Sequence, residues 1–212
     1  DPKQLAAVVE GDIDLLITGE LGTNIYVNTD NVYSAVAITT GLYYGDAAWF
    51  DFNKDNKLDF IISGATNSSI TSSPKVTRIF INQGSNTFTE LTHSITGLAF
   101  GSVDAGDYDY DGDPDILICG KDADPVTKLY RNDNGIFTEI NLQAGQVTDG
   151  FARWVDYDND DDLDIFISGT DNSGNPFTAL YQNAGDDIFN KINYQFKPFS
   201  QSYADFGDYD ND

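Results

Sequence analysis

An all-β fold is what this sequence predicts: a β-propeller of four-stranded antiparallel blades, about four of them in the chain. Three observations carry the prediction. A short apolar run closed by glycine recurs at blade-like spacing. Each recurrence belongs to a unit of strand-length segments, and no stretch sustains a helical period.

The recurrence reads Asp14-Leu15-Leu16-Ile17-Thr18-Gly19, then Asp59-Phe60-Ile61-Ile62-Ser63-Gly64, then Asp115-Ile116-Leu117-Ile118-Cys119-Gly120, then Asp164-Ile165-Phe166-Ile167-Ser168-Gly169. The aspartates are 45, 56 and 49 residues apart, a period that suits one four-stranded blade. Each run has strand length and is too short for a helix. In the third unit an alternating stretch from Lys128 leads through the turn Asn132-Asp133-Asn134-Gly135 to Phe137-Thr138-Glu139-Ile140, and the other units repeat the pattern. The units span about 11–38, 46–92, 100–141 and 150–194. A last strand at 202–212 is placed to complete the first of them. Trp49, Ala105, Trp154 and Phe206 stand two residues before each acidic loop, and Ala47, Val103, Ala152 and Ala204 stand four before. Alternate strand residues share a face, so these are expected to pack between blades.

The chain carries 35 Asp+Glu against 11 Lys+Arg, a formal charge of -24. Such a polyanion argues against nucleic acid and anionic membrane surfaces as partners, and for cations. With 40% hydrophobic and 13% aromatic residues it is too apolar for a solvating tail. Cys119 is the single cysteine, so there is no intrachain disulfide framework. No apolar run approaches the ~20 residues of a membrane span, and no membrane insertion is expected. Residues 1–10 do not read as a signal peptide and Met is absent, so the expectation is a processed product or an excised fragment.

The acids cluster in regular loops. Oxygen-bearing side chains fall at positions 1, 3, 5 and 9 of three of them: Asp51, Asn53, Asp55 and Asp59; Asp107, Asp109, Asp111 and Asp115; Asp156, Asp158, Asp160 and Asp164. Position 7 (Lys57, Asp113, Asp162) would add a backbone carbonyl. Alternate side chains of a tight turn converge on one point, and Ca²⁺ accepts several oxygens in flexible geometry. Zn²⁺ and copper lack the His or Cys ligands they prefer, and Mg²⁺ demands a stricter octahedron. The predicted cofactor is therefore Ca²⁺, at about three sites. The 51–59 loop is the weakest of the three, because it carries Asn53, Lys54 and Lys57. Asp208, Asp210 and Asp212 form the front of a further loop whose back, Asp12 and Asp14, stands in the first unit; joined, they would make a fourth site. A closed four-bladed ring, a segment of a larger propeller and two joined copies all remain open.

Phe100-Gly101-Ser102-Val103-Asp104-Ala105-Gly106-Asp107, continuing to Gly120, resembles an FG-GAP repeat, as in the propeller of integrin α subunits. Leu129-Tyr130-Arg131-Asn132 with Phe137, and Leu180-Tyr181-Gln182-Asn183 with Phe189, are similar to the related VCBS-type repeats of secreted bacterial proteins. The resemblance covers nearly the whole chain. It implies a propeller with Ca²⁺ between the first and second strands of each blade, in a secreted or cell-surface protein.

The longer connections are expected on the face opposite the acidic loops. There Tyr43, Tyr44 and Phe177 are candidates to stack on a sugar or anchor a partner. The expected function is a calcium-stabilised binding or adhesion scaffold for a protein or glycan ligand, and not an enzyme. His93, the sole histidine, lies on a connection, and Cys119 lies in an apolar run. A lyase-like propeller acting on acidic polysaccharide is one alternative, but 11 Lys+Arg are few for the basic cleft it needs. A purely structural repeat segment of a surface protein is the other.

Overall fold

The computed structural model describes residues 13–207. These form fifteen strands and no helix, in four antiparallel sheets. The first sheet holds β1 (Leu15–Gly19), β2 (Gly22–Thr29) and β3 (Val32–Thr39). The second holds β4 (Tyr43–Phe50), β5 (Asp59–Ala65), β6 (Lys75–Gly84) and β7 (Thr87–Leu91). The third holds β8 (Val103–Gly106), β9 (Asp115–Lys121), β10 (Pro125–Asp133) and β11 (Ile136–Ile140). The fourth holds β12 (Thr148–Val155), β13 (Asp164–Thr170), β14 (Pro176–Asn183) and β15 (Phe189–Lys191). Strands follow one another in simple meander order within every sheet, as blades do.

The apolar runs form β5, β9 and β13, the second strands of the three complete blades. Every residue of β5 is buried, because both faces of the strand are covered by neighbouring sheets. Three apolar clusters fill the interfaces between consecutive sheets. Ile25 meets Phe60 and Phe80; Ile61 and Ile79 meet Ile116 and Tyr130; Leu117 and Leu129 meet Trp154 and Ile165. Each fully buried Ile, Leu or Phe contributes about 1.5–3 kcal/mol. The predicted inter-blade positions behave accordingly. Val103, Ala152 and Trp154 are buried, and the Trp154 ring stacks on Tyr108 at 5.6 Å. Phe206 departs from this, standing 42% exposed with its ring edge on Phe166.

A backbone device joins the blades. Phe100 N–H donates to Tyr44 O (2.8 Å), Asp149 N–H to Phe100 O (2.6 Å) and Gln201 N–H to Asp149 O (2.7 Å). All four residues have left-handed φ, at 55°, 62°, 49° and 50° along the chain. A glycine follows each of the first three. A Cβ on Gly45, Gly101 or Gly150 would lie 2.3, 2.2 or 2.0 Å from a carbonyl oxygen of the second strand, so no side chain fits there. Arg153 adds a longer tie. Its Nη2 pairs with Asp46 Oδ2 at 2.8 Å and its Nη1 donates to Val103 O at 2.7 Å, linking the first strands of three blades.

Three points of the sequence reading are narrowed or corrected. The first sheet has three strands among the described residues, since β1 corresponds to β5, β9 and β13, the second strands elsewhere. Among the described residues no strand joins the first sheet to the last. The described part of the expected final strand, 202–207, forms no strand and does not complete the first sheet; it lies against the fourth sheet, where Gln201 is held by Asp149 and Tyr203 meets Phe151. Tyr43 and Tyr44 belong to β4, at a bulge in its pairing with β5, and not to a connecting loop.

Candidate metal centre

Each acidic loop links the first strand of a blade to the second. Its ninth residue is the first of the second strand and is fully buried: Asp59, Asp115 and Asp164. That carboxylate ties the blade together. One oxygen accepts from the third strand: Asn82 N–H to Asp59 (2.7 Å), Asn132 N–H to Asp115 (2.8 Å), Asn183 N–H to Asp164 (2.8 Å). The other accepts from loop position 2: Phe52 N–H (2.9 Å), Tyr108 N–H (3.0 Å), Tyr157 N–H (3.2 Å). Asn28 N–H donates to Asp14 Oδ1 at 2.7 Å, the same contact in the first sheet.

The loops share one turn. The position 1 carboxylate accepts from the N–H of position 6: Asn56 to Asp51 (2.8 Å), Gly112 to Asp107 (2.9 Å), Asp161 to Asp156 (3.2 Å). The position 5 carboxylate accepts from position 7: Lys57 to Asp55 (2.9 Å), Asp113 to Asp111 (2.7 Å), Asp162 to Asp160 (3.0 Å). These bonds curl the loop, and left-handed residues at Lys54, Asn56, Tyr110, Gly112, Asn159 and Asp161 permit the curl.

Two loops gather their acids. Carboxylate oxygens of Asp107, Asp109 and Asp115 lie within 4.8 Å of one another, as do those of Asp156, Asp158 and Asp164. In each, one oxygen is buried without a hydrogen-bond partner: Asp107 Oδ1 and Asp156 Oδ1. An anionic oxygen left so is costly, and a cation in the loop would satisfy it. The same crowding moves the titrations. Burial, with Asp109 and Asp107 beside it, pushes the Asp115 carboxyl up to about 8. Burial, with Asp158 and Asp160 nearby, pushes Asp164 up to about 6. Asp107 and Asp109 are also raised, chiefly by burial. A hard divalent ion suits this all-oxygen donor set.

The 51–59 loop is different. Among the described residues its acids are not gathered into such a group. The Lys57 ammonium sits on Asp55 and holds that carboxyl below its usual range, while Asn53 Nδ2 donates to the same oxygen at 3.3 Å. Lys54 reaches into the next blade and pairs with Asp113 Oδ1 at 2.8 Å. The other oxygen of Asp113 accepts Asn134 N–H at 2.8 Å, so the Asp113 side chain serves the β10–β11 turn. Of the proposed fourth site, Asp14 is held by Asn28. Asp12, Asp208, Asp210 and Asp212 lie outside the described residues.

The aromatic candidates do not form one site. Tyr44 stacks on Phe100 with ring centroids 4.2 Å apart and its hydroxyl donates to Ser68 O. Tyr43 adjoins Tyr44 at 6.2 Å. Phe177 packs against the apolar cluster of the third and fourth sheets, over Gly145, with Lys191 Nζ 5.1 Å from its ring. Sequence reasoning missed a cleft of about 440 Å³ on the acidic-loop face between those two sheets. Tyr108, Asp109, Tyr110, Arg131, Asp162 and Asp187 line it. Arg131 is fixed there by Asp187 at 2.7 Å and Asp133 at 3.3 Å. The lining comes from four separate segments, which no local pattern could have joined.

Residues 65–118 match the FG-GAP-like repeat family. The chain carries an FG-GAP-like repeat. The matched stretch runs from the end of β5 through the whole 107–115 loop into β9, so it includes one of the two gathered carboxylate groups. No curated protein matches the chain. Outside the matched stretch, the 156–164 loop repeats the hydrogen bonds of the 107–115 loop one blade later. No helix of the described residues is long and apolar enough to cross a membrane.

Proposed function

We propose that the chain is a calcium-stabilised propeller scaffold of the secreted or cell-surface kind, working by binding a protein or glycan ligand and not by catalysis. One observation carries the metal half of this reading. The same buried oxygen, at position 1 of two successive loops, is left without a donor inside a trio of carboxylates. Asp107, Asp109 and Asp115 would hold one ion, and Asp156, Asp158 and Asp164 the other. Bound Ca²⁺ supplies the positive charge that lets three carboxylates share one point, and so locks the turn between first and second strands. The 65–118 match supports the repeat scaffold, and the FG-GAP resemblance points to the extracellular setting.

The binding half rests on the cleft beside Asp109, where Tyr110, 58% exposed, offers a stacking surface and Arg131 and Asp162 offer polar groups. Thermal unfolding of chelator-treated protein against added Ca²⁺, with Mg²⁺ as control, tests the metal. A native-state ligand must raise the midpoint. A rise selective for Ca²⁺ is expected; an unmoved midpoint would reduce the loops to ordinary acidic turns. A glycan array repeated with Tyr110→Ala tests the cleft, and binding that survives the substitution would remove it from the account.

A further inference from the structure

The two loops that gather their acids carry identical donors and unlike neighbours. Positions 1, 3, 5 and 9 are Asp in both: Asp107, Asp109, Asp111 and Asp115 in one, Asp156, Asp158, Asp160 and Asp164 in the other. Their turns are held by the same hydrogen bonds. What differs is the residue that reaches each loop from the blade before it.

That residue is position 4 of the preceding loop. Lys54 and Tyr110 both stand there, each with a φ of 60°, so the same backbone turn sends each of them across a blade interface. Lys54 places its ammonium 2.8 Å from Asp113 Oδ1, at position 7 of the next loop. It passes so close over position 6 that a Cβ on Gly112 would lie 3.3 Å from Nζ. Asp111 and Asp107 lie within reach of the same charge. One blade on, Tyr110 comes to the equivalent acids, bordering Asp162 and lying in the field of Asp156, Asp160 and Asp161. It brings no positive charge. The donor that the 156–164 loop does receive is the neutral amide of Gln182, on Asp158 at 2.7 Å. Among the described residues, five carboxylates and one ammonium thus face a cation at 107–115, and six carboxylates face one at 156–164. Arg131 also lies near Asp109, but Asp133 and Asp187 already hold it.

We propose that Lys54 sets the calcium affinity of the loop in the blade after its own, so that the 156–164 site fills before the 107–115 site. The inference rests on the reading of both loops as calcium sites. A fixed positive charge beside the carboxylates does part of a divalent ion's work and repels the ion as it enters. Lys54 is half-exposed, so salt screens that repulsion. Position 4 of one loop is in this way the selector for the next, and Lys or Tyr there orders the loading.

Isothermal titration of calcium into the chelator-treated chain, at low and at high ionic strength, tests this. Asp107→Asn and Asp156→Asn assign the two binding phases by deleting them. The wild type should fill 156–164 at lower calcium. Lys54→Gln should tighten the 107–115 phase about fivefold at low salt and less at high salt, with the other phase unmoved. Lys54→Arg should leave that phase weak, because it keeps the charge. Tyr110→Lys should weaken the 156–164 phase by a similar factor. A lysine that only braces the two blades behaves otherwise: its loss would loosen the 107–115 ion or leave it unchanged, and either result overturns the proposal. So would equal affinities in the wild type. Two sites that bind calcium but ignore position 4 would sink this inference and spare the metal reading, whereas no calcium binding at all would overturn both.

Discussion

The 51–59 and 107–115 loops share a backbone and differ in what neutralises their charge. Both curl through the same bonds from positions 6 and 7, and both anchor position 9 to the third strand. In the first, a lysine of the loop sits on the position 5 carboxylate. In the second, three carboxylates converge and a buried oxygen has no donor. The turn is thus a property of the repeat, whereas demand for a cation is a property of a few side chains within it. An internal ammonium serves one blade, and an external ion would serve its neighbours.

The largest expected effect ignores this difference. Asp59→Ala and Asp115→Ala each strip two buried backbone N–H groups of their acceptor. Both should lose about 2–6 kcal/mol in chemical denaturation without metal, at about 1–3 kcal/mol per group. A much smaller loss at Asp59 would show that the two loops do not share a structural role.

Next come the substitutions that separate the loops. Asp107→Asn and Asp156→Asn should each remove about 2.7 kcal/mol of stability at calcium a hundredfold above Kd, and nothing comparable in chelator. The stability change caused by Asp51→Asn should be the same with and without calcium. In the converse direction, Asn53→Asp combined with Lys57→Gly should create calcium-dependent stabilisation in the 51–59 loop. Failure of the double variant to gain an ion would mean that more than charge distinguishes it.

The smallest effect is on pH dependence. The Asp115 and Asp164 carboxyls titrate near 8 and 6 in the folded, metal-free chain, above the ordinary 3.8. The folded state therefore binds protons that the unfolded state has released. That contribution is complete below about pH 4 and is lost as pH rises through 6 and then 8. Unfolding midpoints in chelator should fall across this window. Saturating calcium, which binds the deprotonated carboxylates, should flatten or reverse the slope. Asp115→Asn should remove the upper part of it.

What the sequence made legible follows the range of the interactions. Positions 1, 3 and 9 of the loops could be read because their convergence is set within nine residues. The apolar strands could be read because each is a local run. The stacking of Tyr44 on Phe100 could not, since the partners lie on successive blades; this is why Tyr44 reads as a ligand contact in sequence and as an inter-blade contact in structure. The Arg153–Asp46 pair spans 107 residues and carries no local signature. The left-handed residue that joins the blades is Tyr, Phe, Asp or Gln in turn, so only the glycine that usually follows it marks the place. Asp113 fits the acidic spacing as well as its neighbours do, yet its side chain is turned to Lys54 and Asn134, contacts that arise only once two blades are side by side.

The most direct test of the central claim is a count of bound calcium by isothermal titration on the wild type, Asp51→Asn, Asp107→Asn and Asp156→Asn. The account predicts that Asp107→Asn and Asp156→Asn each lose one ion relative to wild type, while Asp51→Asn loses none. Equal loss from all three, or loss from none, would contradict it.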